Sequence, residues 1–533
     1  MERKEEKHPL YVLLNLSRTL RLRLIGEGLL VGLFAGLVVS LYRLVLQYAG
    51  QFSTFIYGAV RHNGWLIVLC LIALALIGLL VGFLVKSEPM IKGSGIPQVE
   101  GTLHGFFSMC WWKVLIKKFI GGVLSIGAGL SLGREGPSIQ IGAVAGQGVS
   151  RLFKRMEVEE KYLITCGASA GLAAAFNAPF AGLIFALEEV HKNFSPGVLL
   201  SAMAASIAGD LVSKQFFGTA AVFGIETMTQ SLPLRYYLLL LLLGALLGVC
   251  GALYNQSLTL SQKFYASLRF LPEPARMILP FLLAGIVGIL LPLATGGGHN
   301  IIEGLLASQF TVRMIVLLLF VKFVFSMLSY GSGAPGGIFL PLLVLGALIG
   351  ALFGHAAVSI CGVPAQYINN FLLLGMVGMF TAIVRAPITG IILIVEMSGS
   401  LTHMLALTVV AIASYVVADM LKAKPVYEML LHGMLKNGGS SPKVRDVQEK
   451  TLIEIPVPHG CAVAGKRVDR ISWPHDSLLV SIERLGVEII PKGDTVIQAG
   501  DYIVLMGKAG EEAALRAKLR DIVAGKHLKK QEK

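Results

Sequence analysis

Three long, predominantly apolar runs constrain this chain more than any other feature. They read LIGEGLLVGLFAGLVVSLYRLVLQ (24–47), WLIVLCLIALALIGLLVGFLV (65–85) and YYLLLLLLGALLGVCGALY (236–254). A helix needs about 20 apolar residues to cross the hydrocarbon core of a bilayer, and each run supplies them. Further apolar stretches fall near 276–293, 312–329, 338–360, 370–396 and 403–420. Only 15% of the 533 residues are charged, against roughly a quarter in soluble proteins. The sequence therefore predicts an all-α polytopic membrane protein. Its net charge of +14 is not a nucleic-acid signal. The cations gather in short connections: Arg3, Lys4, Lys7, Arg18, Arg21 and Arg23 before the first run, and Arg151, Lys154, Arg155 and Lys161 together. That distribution suits cytoplasmic flanks. No cleavable signal peptide is evident, because the first apolar run is too long and lacks a small-residue cleavage site. The six cysteines stand singly, so neither a disulfide framework nor a metal site is expected.

The apolar region repeats itself. GREGPSIQIGAVAG (133–146) and GIFLPLLVLGALIG (337–350) share the pattern G-x-x-x-P-x-x-x-x-G-x-x-x-G. FNAPFAGLIFALEE (176–189) and VRAPITGIILIVEM (384–397) share A-P-x-x-G and an apolar run to a glutamate. Lys118-Phe119 and Lys322-Phe323 recur in the same order. Duplicated halves are common in transporters, where broken helices of the two halves meet at a midplane site. The expected halves are about 24–215 and 232–436, after a cytoplasmic segment 1–23.

Three stretches place glycines just before a Pro-containing or apolar helix: GSGIPQVEG (93–101), GREGP (133–137) and GSGAPGGIFLP (331–341). Glycine permits the tight turn and proline suits the first helical turn. The free N–H groups of a helix start carry partial positive charge. Several converging starts make an anion site without a full buried cation, which would hold a small anion too tightly for throughput. A fourth stretch, KPVYEML (424–430), places a tyrosine where the last apolar segment ends.

GSGIP, GREGP, GSGAPGGIFLP and AGLAAAFNAPFAGLIFALEE together resemble the CLC family of chloride channels and proton-coupled chloride transporters. The resemblance runs from about residue 25 to 436. It implies the CLC fold, with two repeated halves inverted relative to one another, in a homodimer whose subunits each hold a pathway. It implies that Ser94 donates its hydroxyl to a central chloride, and a proline there is associated with nitrate preference in plant relatives. By itself, Ser94 also reads as a helix cap. The backbone N–H groups of Ile338 and Phe339 would face the anion, and the phenol of Tyr427 would close the inner side. Tyr427 alone would read as an interfacial tyrosine. Glu135 matches the gating glutamate, a tethered mimic of the anion that swings away when protonated. Its local readings are a helix-start acid, worth up to about 1 kcal/mol, or an ion pair with Arg134. Glu189, the second acid of ALEEVHK, matches the internal proton-transfer glutamate of the exchangers. Its local reading is an interfacial acid, like Glu396 in the second half.

After about residue 436 the composition changes. NGGSSPK (437–443) reads as a linker. TLIEIPVP, LLVSIERLG and VEIIPKGDTVIQAGDYIVLM alternate apolar and polar residues as short strands do, and EEAALRAKLRDIVAG (511–525) reads as a closing amphipathic helix. EIPVPHGCAVAGKRVDRI and IIPKGDTVIQAGDYIVLMGK resemble the TrkA-C (RCK C-terminal) module. That makes 444–533 a small α/β cytosolic domain, with an unidentified small ligand or ion as its implied partner. The implied function is exchange of chloride for protons across a prokaryotic inner membrane, with both termini cytoplasmic. No cofactor and no nucleic acid are implied. Alternatives are a passive chloride channel gated by Glu135, a potassium-linked regulator suggested by the tail, and an intramembrane enzyme. No TVGYG filter or HExxH motif supports the last two.

Overall fold

The computed structural model describes residues 9–192, 194–223, 231–268, 270–437, 450–458, 460–475, 477–484 and 487–508, together with Leu515, Leu519 and Ile522. The chain divides into two compact units, residues 1–438 and 439–533.

The first unit is helical throughout its described residues, and its order repeats. In the first half, α1 (Pro9–Val60) and α2 (Gly64–Ser87) precede a short α3 (Ile96–Leu103), α4 (Trp111–Gly127), α5 (Glu135–Leu152) and α6 (Glu157–Phe176). Then come α7 (Pro179–Phe185), a π-helical turn (Ala186–His191) and α8 (Pro196–Phe217). In the second half, α9 (Tyr237–Ser267), α10 (Glu273–Arg276) and α11 (Ile278–Leu290) precede a short α12 (His299–Leu306). After it come α13 (Val312–Gly331), α14 (Phe339–Cys361), α15 (Ile368–Val384), α16 (Pro387–Ser398) and α17 (Met404–Met420). α18 (Val426–Asn437) closes the unit.

Eight described helices are long and apolar enough to cross a membrane. α1 runs unbroken from Pro9 into the first candidate span, which begins at Leu22. One sequence expectation is corrected. The apolar stretch 370–396 is two helices, because Ala386-Pro387 ends one and starts the next, with Arg385 left-handed (φ 73°) between them. Asn177 (φ 53°) makes the same break in the first half.

The centre is built from α5, α6, α14 and α15, which are buried along most of their lengths. Their sequences explain it. α5 and α6 meet at glycines: a Cβ on Gly142 would strike the carbonyl of Gly167, and one on Gly167 would strike that of Gly142. Gly346 and Gly375 make the same approach between α14 and α15. Lipid offers apolar side chains no advantage in leaving it, so close backbone packing replaces hydrophobic segregation as the organising force.

Two fully buried lysines pin the loops ahead of the short helices. Lys118 Nζ donates to the carbonyls of Ile91 (2.9 Å) and Gly93 (2.7 Å). Lys322 Nζ donates to Ala294 (3.1 Å) and Gly296 (2.5 Å) in the other half. Each loop then turns into its helix through a left-handed glycine, Gly95 (φ 90°) before α3 and Gly298 (φ 94°) before α12.

The second unit is a four-stranded antiparallel sheet of order β1-β4-β2-β3. The strands are β1 (Lys450–Pro456), β2 (Leu478–Arg484), β3 (Val487–Ile489) and β4 (Tyr502–Lys508), where alternation placed them. Ile455, Ile482, Ile503 and Leu505 form its core with Leu515 and Leu519. The linker expected at 437–443 lies outside the described residues beyond Asn437, as does most of the helix expected at 511–525.

Candidate functional site

Convergence of helix starts is visible in backbone hydrogen bonds. Gly133 N–H donates to the Gly337 carbonyl and Gly337 N–H to the Gly133 carbonyl, both at 2.7 Å. This two-way bridge ties the residues before α5 to those before α14. A Cβ on Gly337 would lie 3.0 Å from the Gly136 nitrogen, so a larger residue there would press on the start of α5. In α14 the first intrahelical bond is Leu342 N–H to the Ile338 carbonyl. The amides of Ile338, Phe339 and Leu340 precede it and are free to face a ligand. In α5 the first such bond is Ser138 N–H to the Arg134 carbonyl, so Glu135 and Gly136 offer theirs. Pro137 and Pro341, next in line, have no N–H.

Glu135 stands at this junction, fully buried. Its side chain folds back over Gly133, where an added Cβ would collide with its Oε2. The amides of Glu135 and Leu340 face the carboxylate, but neither oxygen closes a hydrogen bond within the protein. Among the described residues Glu135 forms no ion pair with Arg134, whose guanidinium turns to the Ala175 carbonyl (3.4 Å). The ion-pair reading of GREGP is therefore not what the geometry gives. Leu340 escaped the sequence reading, because GIFLP drew attention to the two residues ahead of it.

Ser94 is buried one residue before the left-handed Gly95. Its Oγ accepts from the Ile96 amide (3.4 Å) and the Tyr330 hydroxyl (3.5 Å), leaving its own proton free to donate. Its backbone lies against α5: a Cβ on Gly136 would sit 2.9 Å from the Ser94 carbonyl. α3, α5 and α14 thus bring their starts together. Phe339 is wedged among Phe176, Phe185 and Phe380, with ring centroids 4.9–5.8 Å away. Phe185 in turn meets Tyr427 edge-on at 6.3 Å. Tyr427 is fully buried, which removes the interfacial reading, and its hydroxyl has no protein partner. The reading without a full buried cation also needs amendment: Lys118 lies next door, though its ammonium is spent on loop carbonyls.

The adjacent acids of ALEEVHK divide their work. Glu188 caps α16, accepting from the amides of Ile388 (3.3 Å) and Thr389 (2.8 Å) and from the Thr389 hydroxyl (2.7 Å). Glu396 does the reciprocal service for α7, through the Phe180 (3.1 Å) and Ala181 (2.7 Å) amides. Each half stops the other's free helix start with its own carboxylate, as a two-fold relation between halves requires. Glu189 has no such duty. It is 5% exposed and its Oε1 is unpartnered. Both acids lie within the π-helical turn. On the Glu135 side a cavity of about 850 Å3 is lined by Arg43, Arg134, His299 and Glu303. Arg43 is held there by Asn177 Oδ1 (2.7 Å) and by stacking on Phe217.

The sequence profile of the family described as voltage gated chloride channel matches residues 77–419, nearly the whole repeated unit. The chain belongs to the voltage gated chloride channel (CLC) family. It is a multi-pass membrane protein of that family, with a TrkA-C domain matched at residues 452–520. Among its relatives is the H+/Cl− exchange transporter ClcA of Vibrio parahaemolyticus, 36% identical over 419 residues, covering 76% of this chain and 89% of that one. ClcA of Cronobacter sakazakii is 34% identical over 410 residues, covering 75% and 88%. Among solved structures, a slow cyanobacterial Cl−/H+ antiporter superposes with a TM-score of 0.74 at 28% identity, covering 78% of this chain and 99% of that one.

Proposed function

We propose that this CLC protein exchanges chloride for protons moving the opposite way. The observation that carries the reading is the Glu135 carboxylate, buried and without a hydrogen-bond partner between the free amides of α5 and α14. An ionised carboxylate there occupies an anion's place among those donors. Protonation removes the charge, and the amides then favour chloride. Ser94, the Ile338 and Phe339 amides, and Tyr427 hold the chloride, with the Leu340 amide added to that set. Glu189 receives protons on the cytosolic side and relays them to Glu135. Intramembrane acids are costly, and their presence is a functional signal. The exchanger names of the relatives support the same reading. The protein would sit in the inner membrane as a homodimer with both termini cytosolic, and residues 444–533 would regulate it by binding a small ligand or ion.

The test is flux through the purified protein in chloride-loaded vesicles, with chloride and pH electrodes read together. Exchange predicts that chloride leaving down its gradient draws protons in, so the external pH rises. Chloride efflux with a flat pH trace would identify a passive channel instead.

A further inference from the structure

Glu189 does not stand alone at the end of the π-helical turn. Lys192, the residue that ends the turn, is held in a left-handed conformation (φ 54°). Its ammonium donates to Glu100 Oε1 at 2.7 Å. The pair is lopsided: the Lys192 side chain is 38% exposed, that of Glu100 only 3%. Glu100 Oε2 has no partner. Glu100 lies on α3, so the helix that begins beside Ser94 carries a buried carboxylate near its other end. α3 packs on both the π-helical turn and α18. The charges acting on Glu189 are the attractive Lys192 and the repulsive Glu100, Glu188 and Glu428. Also facing this corner are His104 from α3, Lys161 from α6, His191, whose Nδ1 lies 2.8 Å from Thr165 Oγ1, and the Tyr427 phenol from α18.

Glu100 and Glu189 are both buried, on elements that pack together. The charge of one ammonium acts on both. We propose that Lys192 is the positioning residue of the inner proton entrance: its ammonium, fixed by the ion pair with Glu100, sets how readily Glu189 takes an arriving proton. The half-exposed ammonium lets this corner meet the aqueous side while both carboxylates stay dry. The inference rests on the exchange reading and assigns Lys192 and Glu100 a part in it.

The measurement is the pH dependence of the proton-to-chloride flux ratio for the full chain in vesicles. Lys192→Met removes the one attractive charge. Glu189 then holds its proton to higher pH, and the midpoint of the profile should move in the alkaline direction by about half a pH unit or more. Lys192→Arg should keep the wild-type profile. Glu100→Gln combined with Lys192→Met removes both charges, so its midpoint should return toward wild type and its fold should not suffer from an orphaned buried carboxylate. An unmoved midpoint in Lys192→Met would overturn the proposal, as would a double variant that behaves like Lys192→Met alone. Glu189→Gln separates the two readings. If it abolishes proton movement while Lys192→Met leaves the midpoint in place, only the role of Lys192 falls. If it leaves proton movement coupled, the entrance itself falls, and this inference with it.

Discussion

At the scale of single residues the chemistry depends on side chains that lack protein partners. Glu135 and Tyr427 are buried with polar atoms that bond nothing in the protein, an arrangement that costs about 1–3 kcal/mol per neutral group and more for a charge. On the proposed reading, the transported ions complete these atoms. Replacing Glu135 with Gln keeps the shape and removes the titration. Chloride movement should continue while proton movement falls to the leak of empty vesicles, so continued pH-dependent coupling would refute the gating role. Ser94→Pro takes away a hydroxyl donor beside the Ile96 amide. The nitrate-to-chloride flux ratio should rise several-fold, and an unchanged ratio would remove Ser94 from the ligand set. The identities of these residues were readable in the motifs. Their expected roles came only through the family resemblance, because Glu135 and Glu188 are both glutamates near helix ends and local chemistry does not tell them apart. Only the fold shows that Glu188 is consumed by the α16 amides and that Glu135 is not.

At the scale of elements the decisive contacts are the glycine seams. Gly167 lies against the Gly142 carbonyl with no room for a methyl group. Gly167→Ala must therefore push α5 away from α6, a strain of roughly 1–3 kcal/mol. Because α5 begins at Glu135, the shift reaches the site. The variant should unfold at a lower temperature in detergent and exchange more slowly, whereas Gly197→Ala, which has open space around it, should match wild type. The helix starts were legible in the sequence because Gly and Pro mark them whatever the tertiary context. The packing of α5 and α6 was less so. Rich in Gly, Ala and Ser, they read as weakly apolar, and their burial comes from backbone contact that hydropathy does not register. Arg43 and the cavity at Arg134 and His299 were invisible for a similar reason: an isolated arginine in an apolar run carries no signal until its neighbours are known.

At the scale of the whole molecule, two units with different physics share one chain. The membrane unit buries small residues and exposes large ones such as Leu37, Phe55, Ile72 and Leu242. The tail buries Ile455, Ile482 and Leu505 as a soluble domain does. Its charge chemistry is also of the soluble kind. Arg484 grips Asp501 with two bonds of 2.8 Å, and this contact holds the Asp501 carboxyl below the usual range. A depressed carboxyl contributes stability above its unfolded value, near 3.9, and loses it as pH falls through the folded value. Asp501→Asn should accordingly weaken hydrogen-exchange protection of β2 and β4 in the full chain at neutral pH. The gap from wild type should close as the medium becomes acidic enough to protonate Asp501, and a gap constant with pH would argue against the linkage.

Membrane class, duplication, helix starts and tail strands were all legible in the residues alone. Each is a local property: apolar length, glycine and proline position, or alternation over a few residues. The tertiary structure alone decided which free amides meet and which acids they leave unclaimed. Gly133 and Gly337 are 204 residues apart, and nothing in either segment states that their backbones will join. That pairing follows from two halves folding against one another, where bonds such as those of Glu188 and Glu396 are made across the divide.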